Sequence, residues 1–268
     1  MLRIAVIGAP GKMGRRVIAL MHADSDLQLV AALAPEHHRD LGRDAGDVAG
    51  VGPLGVMLGH DLSACLSEVD VIIDFSVAAA TLAYLPLVAT AQKALVIGTT
   101  GFTAAQREEI TRLSADMRCF MAPNMSLGVN VLFQVLRQVA GMLGPDHDVE
   151  IIEAHHRTKV DAPSGTALRM ASIIADALGR HLDQDAVYGR HGLVGPRSQT
   201  EIGIQAIRAG DIVGEHTVIF AGLGERLELI HRSQSRDNFA RGALRAAKWI
   251  VQQPRGLYSM EDLLRLTS

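Results

Sequence analysis

A run of closely spaced glycines follows the first apolar segment and limits the possible folds more than any other feature. LRIAVIG (residues 2–8) predicts a parallel strand buried on both faces. GAPGKMG (residues 8–14) comes next, and helical spacing of apolar residues begins at residue 12. Such a turn lets the backbone approach a pyrophosphate at a helix N-terminus. The position of the turn favours a dinucleotide-binding βαβ unit, and a tight βα turn without ligand is the alternative.

Apolar runs and helical patterns continue to alternate as far as about residue 126. This alternation predicts an α/β fold with a Rossmann-type doubly wound parallel sheet. A late helical pattern at 238–253 has one apolar side, so we expect it to pack back onto the same domain. The predicted dinucleotide-binding domain therefore spans 1–126 and 236–268. The remaining predicted strands are 27–34, 69–75, 94–97 and 118–122, with helices at 78–91 and 103–117.

A different pattern fills residues 127–235. Three alternating runs separated by glycine-containing turns predict an antiparallel meander there. We expect a second, α+β domain with a mixed or antiparallel sheet. Its predicted helices are 128–143 and 166–179, and its predicted strands are 149–154, 200–208, 215–221 and 225–231.

Composition excludes several classes of protein. The 268 residues are 48% hydrophobic and 21% charged, which is typical of a globular chain and not of a disordered one. A net charge of −3 argues against nucleic acid or a membrane surface as a partner. Cys65 and Cys119 lie far apart without CxxC spacing, which argues against a zinc ribbon or a disulfide scaffold. We find no uncharged apolar run of about 18 residues and no signal peptide, and we expect a cytoplasmic protein.

Two further loops lie where a cofactor would reach. GTTG (98–101) and APNM (122–125) each follow a predicted strand. Ligands of open parallel sheets bind at the carboxyl ends of strands, so both loops are expected near the nicotinamide, although each could be an ordinary turn.

The second predicted strand ends without a carboxylate, in Leu33-Ala34-Pro35. An acidic residue there would hold the ribose of NAD, and its absence leaves nothing to repel a 2′-phosphate. Basic side chains lie nearby and offer a rim for NADPH, unless they are merely solvated charges. These side chains are Lys12, Arg15, Arg16, His37, His38 and Arg39.

The segment EAHHRTKVDAPSGT (153–166) is the richest in chemistry. His155, His156, Arg157 and Lys159 place four potential cations within five positions, just before a predicted helix. Point charge and helix dipole both favour an anion here. The segment lacks the ligand spacing that is usual for a metal site, and the neighbouring Arg and Lys side chains would oppose a dication. A solvated basic loop is the remaining alternative.

At this point the chain is seen to resemble the 4-hydroxy-tetrahydrodipicolinate reductase family, also called dihydrodipicolinate reductases, of the diaminopimelate–lysine pathway of bacteria and plants. The resemblance runs over essentially the whole chain, and EAHHRTKVDAPSGTA is its most specific segment. The matching segments, in family order, are GAPGKMG, IDFS, VIGTTGF, APNMSLGVN, EIIEAHHRTKVDAPSGTAL and RAGDIVGEHTVIFAGLGERLELIHR. The family implies an oxidoreductase that reduces 4-hydroxy-tetrahydrodipicolinate, via dihydrodipicolinate, to tetrahydrodipicolinate with NADPH or NADH.

The resemblance also implies roles for residues. It implies His155 as the catalytic acid/base, Lys159 as proton donor, and substrate contacts from His156, Gly165 and Thr166. It implies a homotetramer built through the 127–235 domain, which would bind the dicarboxylate substrate, and from the ligand spacing we expect no metal. The implied cofactor contacts are Gly8, Ala9, Pro10, Gly11, Lys12, Met13, Gly98, Thr99, Thr100, Ala122, Pro123, Asn124 and Met125.

One departure from the family concerns the cofactor. Similar family members often have Glu-Arg at the end of the second strand, where this chain has Ala34-Pro35. The preference between NADH and NADPH is therefore not transferable.

Two rival functions remain at this point. A homoserine- or aspartate-type dehydrogenase shares the two-domain plan but needs fewer cations than 155–159 carries. A catalytically silent dinucleotide sensor would have no reason to keep His155 and Lys159 beside a helix start.

Overall fold

The computed structural model describes residues 1–265. Their internal contacts divide the chain into two compact units: unit 1, Met1–Leu127 with the chain from Arg236 onward, and unit 2, Gly128–Ser235. The sequence places its boundaries after residues 126 and 235. The assignment of cofactor binding to one unit and substrate binding to the other stays a prediction.

Twelve strands occur within the described residues. They are Leu2–Ile7 (β1), Leu27–Leu33 (β2), Leu58–Gly59 (β3), Val71–Asp74 (β4), Ala94–Ile97 (β5), Arg118–Met121 (β6), Asp148–His155 (β7), Ala186–Tyr188 (β8), Ile202–Arg208 (β9), Gly214–Ala221 (β10), Arg226–Ser233 (β11) and Gly256–Tyr258 (β12).

Nine α-helices connect these strands within residues 1–265. They are Lys12–His22 (α1), Ala45–Ala49 (α2), Ala78–Thr90 (α3), Ala104–Leu113 (α4), Leu127–Leu143 (α5), Gly165–Leu178 (α6), Leu182–Asp185 (α7), Asp237–Ile250 (α8) and Met260–Arg265 (α9).

Unit 1 is built on a seven-stranded sheet. Its strand order is β12-β6-β5-β4-β1-β2-β3, and every pairing is parallel. Two separate apolar cores cover its faces, which is why Ile4, Ala5 and Val6 are all fully buried. The order reverses between β1 and β4, as in doubly wound folds. The predicted Rossmann-type sheet is confirmed.

The late helix α8 belongs to unit 1, as expected. It packs against α1 and shares a core with Val17 and Ile18 of that helix. Gly242 lies so close to the loop after β6 that a Cβ there would be 1.8 Å from the carbonyl oxygen of Met125. This close contact joins α8 to the carboxyl edge of the sheet.

The sheet of unit 2 corrects the expected meander. Its order is β11-β10-β7-β9-β8, so β7 lies between β9 and β10. β9 pairs parallel with β7, whereas β10 is antiparallel to both β7 and β11. The expected antiparallel pairing of β10 with β11 is confirmed, but the expected pairing of β9 with β10 was wrong, because a helical crossover through α6 brings β9 beside β7. The predicted mixed sheet is confirmed.

The helical segment Leu127–Asp146 is 20 residues long and contains an 18-residue window with a mean hydropathy of 1.2, so it could cross a membrane by length and composition alone. A core helix of a globular protein has the same properties. Val129, Leu132, Leu136 and Ala140 form its buried stripe. The helix also carries Arg137 and is therefore not an uncharged apolar run, in line with the expectation from the sequence.

Candidate active site

Four loops of unit 1 lie side by side at one edge of the sheet. They follow β1, β4, β5 and β6, which are neighbouring strands in the order β6-β5-β4-β1. Because all four strands are parallel, their carboxyl ends meet at this edge, where ligands bind in open sheets. The three predicted cofactor segments, 8–13, 98–100 and 122–125, are brought together there.

The glycine turn is packed too tightly for side chains. Gly8 has φ +75°, and a Cβ there would lie 2.3 Å from the carbonyl oxygen of Phe75. A Cβ on Gly14 would lie 2.2 Å from the carbonyl oxygen of Gly8. The first and third glycines therefore hold the turn between β1 and α1 by close backbone contact.

The middle glycine leaves the helix start open. Gly11 is the N-cap residue of α1, no described side chain caps it, and the first turn carries no acidic residue. A Cβ on Gly11 would approach only the Gly8 carbonyl oxygen, at 3.0 Å. Uncapped N–H groups and the positive end of the helix dipole thus face free space. This cradle fits the pyrophosphate of a dinucleotide.

The loop after β5 is fixed by a buried hydroxyl. Thr99 is 5% exposed, and its Oγ1 accepts the N–H of Ser76 at 2.9 Å. The same N–H also lies 2.9 Å from Oδ1 of the buried Asp74. Gly98 adjoins the Phe75 ring so closely that a Cβ would lie 2.2 Å from it. The Thr99 side chain therefore holds the loops after β4 and β5 together.

The basic rim differs in part from the one expected. Arg16 is turned to α8 and forms two hydrogen bonds with Asp237, at 2.6 and 2.8 Å. It is therefore removed from the rim. A cavity of about 510 Å³ lies beside Arg15, lined by Arg15, Arg39, Asp40, Arg43, Asp47 and Val48. Arg43, which the sequence reasoning missed, contacts Asp40 at 2.5 Å.

In unit 2 the predicted catalytic residues lie at and just after the end of β7. His155 is its last residue and is largely buried, with 12% of the side chain exposed. Lys159 lies in the following loop, and its Nζ donates to both carboxylate oxygens of Asp161 at 2.8 Å. Nδ1 of His156 lies 2.8 Å from the Thr158 hydroxyl. The Lys159 ammonium is thus held by the carboxylate of Asp161.

A fully buried carboxylate supports His155. Oε2 of Glu153 lies 2.6 Å from Nδ1 of His155, and Oε1 accepts the Ser164 N–H at 2.9 Å. Arg208 donates two hydrogen bonds of 2.8 Å to the same carboxylate. Burial alone would raise the pKa of Glu153, but these hydrogen bonds outweigh it and hold the pKa below its ordinary value. Glu153 is therefore ionised at neutral pH.

Two histidines face one another beside this carboxylate. His216 of β10 is 4% exposed, its ring centroid lies 5.3 Å from that of His155, and the two rings form a T-shaped pair. Burial first, and the nearby His155 second, lower the pKa of His216 to about 4. Burial also lowers the pKa of His155, although Glu153 opposes the shift. Both rings are neutral at pH 7 when no ligand is bound.

The start of α6 completes the predicted substrate region. Ser164 is the N-cap, and its hydroxyl accepts the N–H of Ala167 at 3.2 Å. A Cβ on Gly165 would meet nothing within 4 Å. Thr166 follows in the first turn, which carries no acidic residue. An open helix start with a polar side chain is suited to a carboxylate.

Besides Arg43, three residues of unit 2 escaped the sequence reasoning: Glu153, Arg208 and His216. Glu153 shares the core-facing side of β7 with the fully buried Val149 and Ile151. A carboxylate at a core position of an alternating strand is a signal that could have found it. Within residues 1–265 no group of three or more His, Cys, Asp and Glu side chains is arranged to hold a metal ion.

Comparisons with known proteins agree with this geometry. Residues 2–125 match the family model "Dihydrodipicolinate reductase, N-terminus" and residues 128–264 match "Dihydrodipicolinate reductase, C-terminus". The 4-hydroxy-tetrahydrodipicolinate reductase of Syntrophus aciditrophicus is 52% identical over 268 residues, all of both chains. That of Syntrophobacter fumaroxidans is 51% identical over 98% of this chain and 99% of its own.

A solved structure extends the likeness to three dimensions. It is the dipicolinate-bound dihydrodipicolinate reductase of Paenisporosarcina sp. TG-14, which is 28% identical to this chain. The alignment covers 97% of each chain with a TM-score of 0.77.

Proposed function

The chain belongs to the dihydrodipicolinate reductase family, and from this premise we propose how it works. It reduces 4-hydroxy-tetrahydrodipicolinate, by way of dihydrodipicolinate, to tetrahydrodipicolinate, with NADH or NADPH as the donor. The single observation that carries the proposal is the arrangement around His155. There an imidazole supported by a buried carboxylate, an ammonium group and an open helix start belong to one unit.

Unit 1 holds the cofactor. The backbone of Gly8–Met13 takes the pyrophosphate, and the loops 98–100 and 122–125 flank the nicotinamide. The open N-terminus of α1 supports this assignment. When bound, the nicotinamide supplies a hydride to a ring carbon of the substrate.

Unit 2 binds the substrate and carries the groups that transfer the proton. The N–H groups at Gly165 and Thr166, together with His156, bind a substrate carboxylate. Lys159 leaves Asp161 when the dianion arrives, and it stabilises negative charge at the imine nitrogen as that charge develops. After hydride transfer the Lys159 ammonium supplies one proton to the carbon that has become nucleophilic, and His155 is the acid/base that exchanges protons with the site.

A coupled assay tests this function. Aspartate semialdehyde, pyruvate and a condensing synthase generate the unstable substrate, and oxidation of NADH or NADPH is followed by absorbance. We expect turnover that depends on the synthase, with both cofactors. The absence of synthase-dependent oxidation with either cofactor would reject the proposed reaction.

We further propose that the enzyme is a homotetramer assembled through unit 2. Its sheet carries exposed apolar side chains at Ile207, Leu227 and Ile230, which are 46%, 41% and 48% exposed. Exposed apolar side chains on one sheet favour burial against another copy. Light scattering should give four times the 28.7 kDa of one chain. Ile230→Lys should lower that mass, and a monomeric wild type would contradict the proposal.

We also propose a cytoplasmic location. Both cysteines are free, and burial raises the pKa of Cys119 to about 12, so that thiol stays protonated. Free thiols fit a reducing compartment. Detection of the protein outside the cytoplasmic fraction of its native cell would contradict this.

A further inference from the structure

We propose that Glu153 and Arg208 are positioning residues that hold His155 with a proton on Nδ1, so that Nε2 is the nitrogen that exchanges a proton during the reaction. This inference rests on the proposed function, because it names the atom through which His155 acts. Neither residue need touch the substrate.

The contacts of Glu153 fix its protonation state. Its two oxygens accept from Arg208 Nη1 and Nη2, from the Ser164 N–H and from Nδ1 of His155. A fully buried carboxylate with this many donors is an acceptor only. Since an ionised carboxylate cannot donate, the proton between Glu153 and His155 belongs to Nδ1. The neutral ring then has its lone pair on Nε2.

The backbone opposite Nε2 leaves room for that nitrogen to act. Gly214 of β10 lies beside it, and a Cβ on Gly214 would be 3.0 Å from Nε2. Every larger residue would crowd the imidazole edge that the proposal assigns to proton exchange. Glycine at this position is therefore explained by space, since its φ does not lie in the left-handed region.

Arg208 has a second contact that links the carboxylate to the catalytic loop. Its Nη2 also donates to the carbonyl oxygen of Asp161 at 2.7 Å. Asp161 is the residue whose side chain holds Lys159. One guanidinium thus fixes both the carboxylate behind His155 and the loop that carries Lys159, as its planar fork of donors allows.

The charges around His155 act in opposite directions. Glu153 on β7 raises its pKa, whereas Lys159 in the loop and Arg208 on β9 lower it. His216 on β10 faces the ring, and His231 on β11 lies opposite His216 in the strand register. Removing Glu153 or Arg208 should therefore shift the titration of His155 in opposite senses. Loss of stability alone would not produce this pattern.

Nitrogen-15 NMR of protein labelled at histidine distinguishes the Nδ1–H and Nε2–H tautomers of the neutral ring directly. His155 is assigned by the loss of its signals in His155→Gln. We expect Nδ1 of wild-type His155 to be protonated and Nε2 to be bare above its pKa. A protonated Nε2 with a bare Nδ1 would overturn the proposal, and this measurement needs neither turnover nor a destabilised variant.

Titration of two variants tests the positioning roles. Glu153→Gln should lower the pKa of His155, and Arg208→Gln should raise it. Glu150→Gln is the matched control, since Glu150 lies on the same strand and pairs with Arg190 and Arg197. It should leave the titration of His155 unchanged. If Glu153→Gln fails to fold, Arg208→Gln and the wild-type tautomer decide the matter. Shifts in the same direction, or none, would overturn the proposal.

Kinetics supply a second readout. The pH profile of kcat should move in the same direction as the His155 titration in each variant, while KM for the cofactor stays unchanged. If the tautomer is as expected but no synthase-dependent turnover occurs, the proposed function fails while the positioning of His155 stands. Turnover with unmoved pH profiles in both variants would instead reject the positioning roles alone.

Discussion

Under the proposed function, the two units recognise anions in different ways. In unit 1 the recognition surface is backbone, formed by a glycine turn whose first and third positions exclude even a methyl group. In unit 2 it is made of titratable side chains, anchored by a carboxylate with no exposed surface. On that proposal, unit 1 accepts any dinucleotide that its loops admit, whereas unit 2 must match the charge and protonation of one substrate. The difference predicts separable effects of mutation.

The largest effect should come from the imidazole of unit 2. We expect His155→Gln to lower kcat by about 10² or more, since a positioned acid/base contributes that much, with little change in KM. NADPH affinity, measured by fluorescence, should stay at the wild-type value because the glycine turn is untouched. A near wild-type kcat would remove His155 from the chemistry.

A matching change in unit 1 should spare the chemistry and harm the cofactor. Gly14→Ala places a Cβ 2.2 Å from the Gly8 carbonyl oxygen, so the turn must open. Overpacking of this kind costs about 1–3 kcal/mol, and we expect NADPH affinity to fall by about tenfold. Gly141→Ala, whose Cβ meets nothing within 4 Å, is the control and should bind NADPH normally. Equal affinities in the two variants would refute the tight turn.

The buried His216 of unit 2 should make the stability of the protein depend on pH. Folding lowers the pKa of His216 from 6.5 to about 4. Acid therefore protonates the unfolded chain first, and stability is lost as the pH falls from about 6.5 towards 4. Between pH 7 and pH 5 this group should account for about 2 kcal/mol of the free energy of unfolding. Denaturant titrations should show a smaller loss in His216→Gln, and an identical loss would contradict the buried neutral ring.

A smaller effect is expected at the start of α6. Thr166→Val removes a hydroxyl that we assign to a substrate carboxylate, and hydrogen bonds to charged groups contribute about 1.5–3 kcal/mol. KM for the substrate should rise by about tenfold while most of kcat remains, because the contact is made equally to the ground state and the transition state. Thr111→Val, on α4 of unit 1, serves as the control. A fall in kcat at constant KM would assign Thr166 a different role.

The two units also differed in how far the sequence could predict them. Each strand of the parallel sheet is a continuous apolar run, and such a run is recognisable whichever strand lies beside it. The Rossmann-type architecture was therefore predictable. The order in unit 2 was not, because strand alternation shows which face is buried but not which strand is the neighbour. β7 therefore separates two strands that are consecutive in the chain, β9 and β10.

The same limit applied to the candidate site. His155 and Lys159 could be named because they belong to one short segment with a specific motif. Arg208 lies 55 positions from Glu153, and only the register of β7 with β9 brings them together. Arg16 had the right charge and position in sequence, but its pairing with Asp237 of α8 is a tertiary contact. Local patterns thus pointed to the groups that we propose to react, but not to Glu153, which contacts His155, or to Arg208, which contacts Glu153 through the fold.

Inhibition by pyridine-2,6-dicarboxylate tests most directly whether unit 2 carries the dicarboxylate site and unit 1 the cofactor. The planar ring with two carboxylates resembles the dehydrated substrate, so we expect it to compete with substrate and not with NADPH. Thr166→Val should weaken it by about tenfold or more, and Lys159→Met should weaken it while abolishing most turnover. Competition with NADPH, or unchanged inhibitor affinity in both variants, would place the substrate elsewhere.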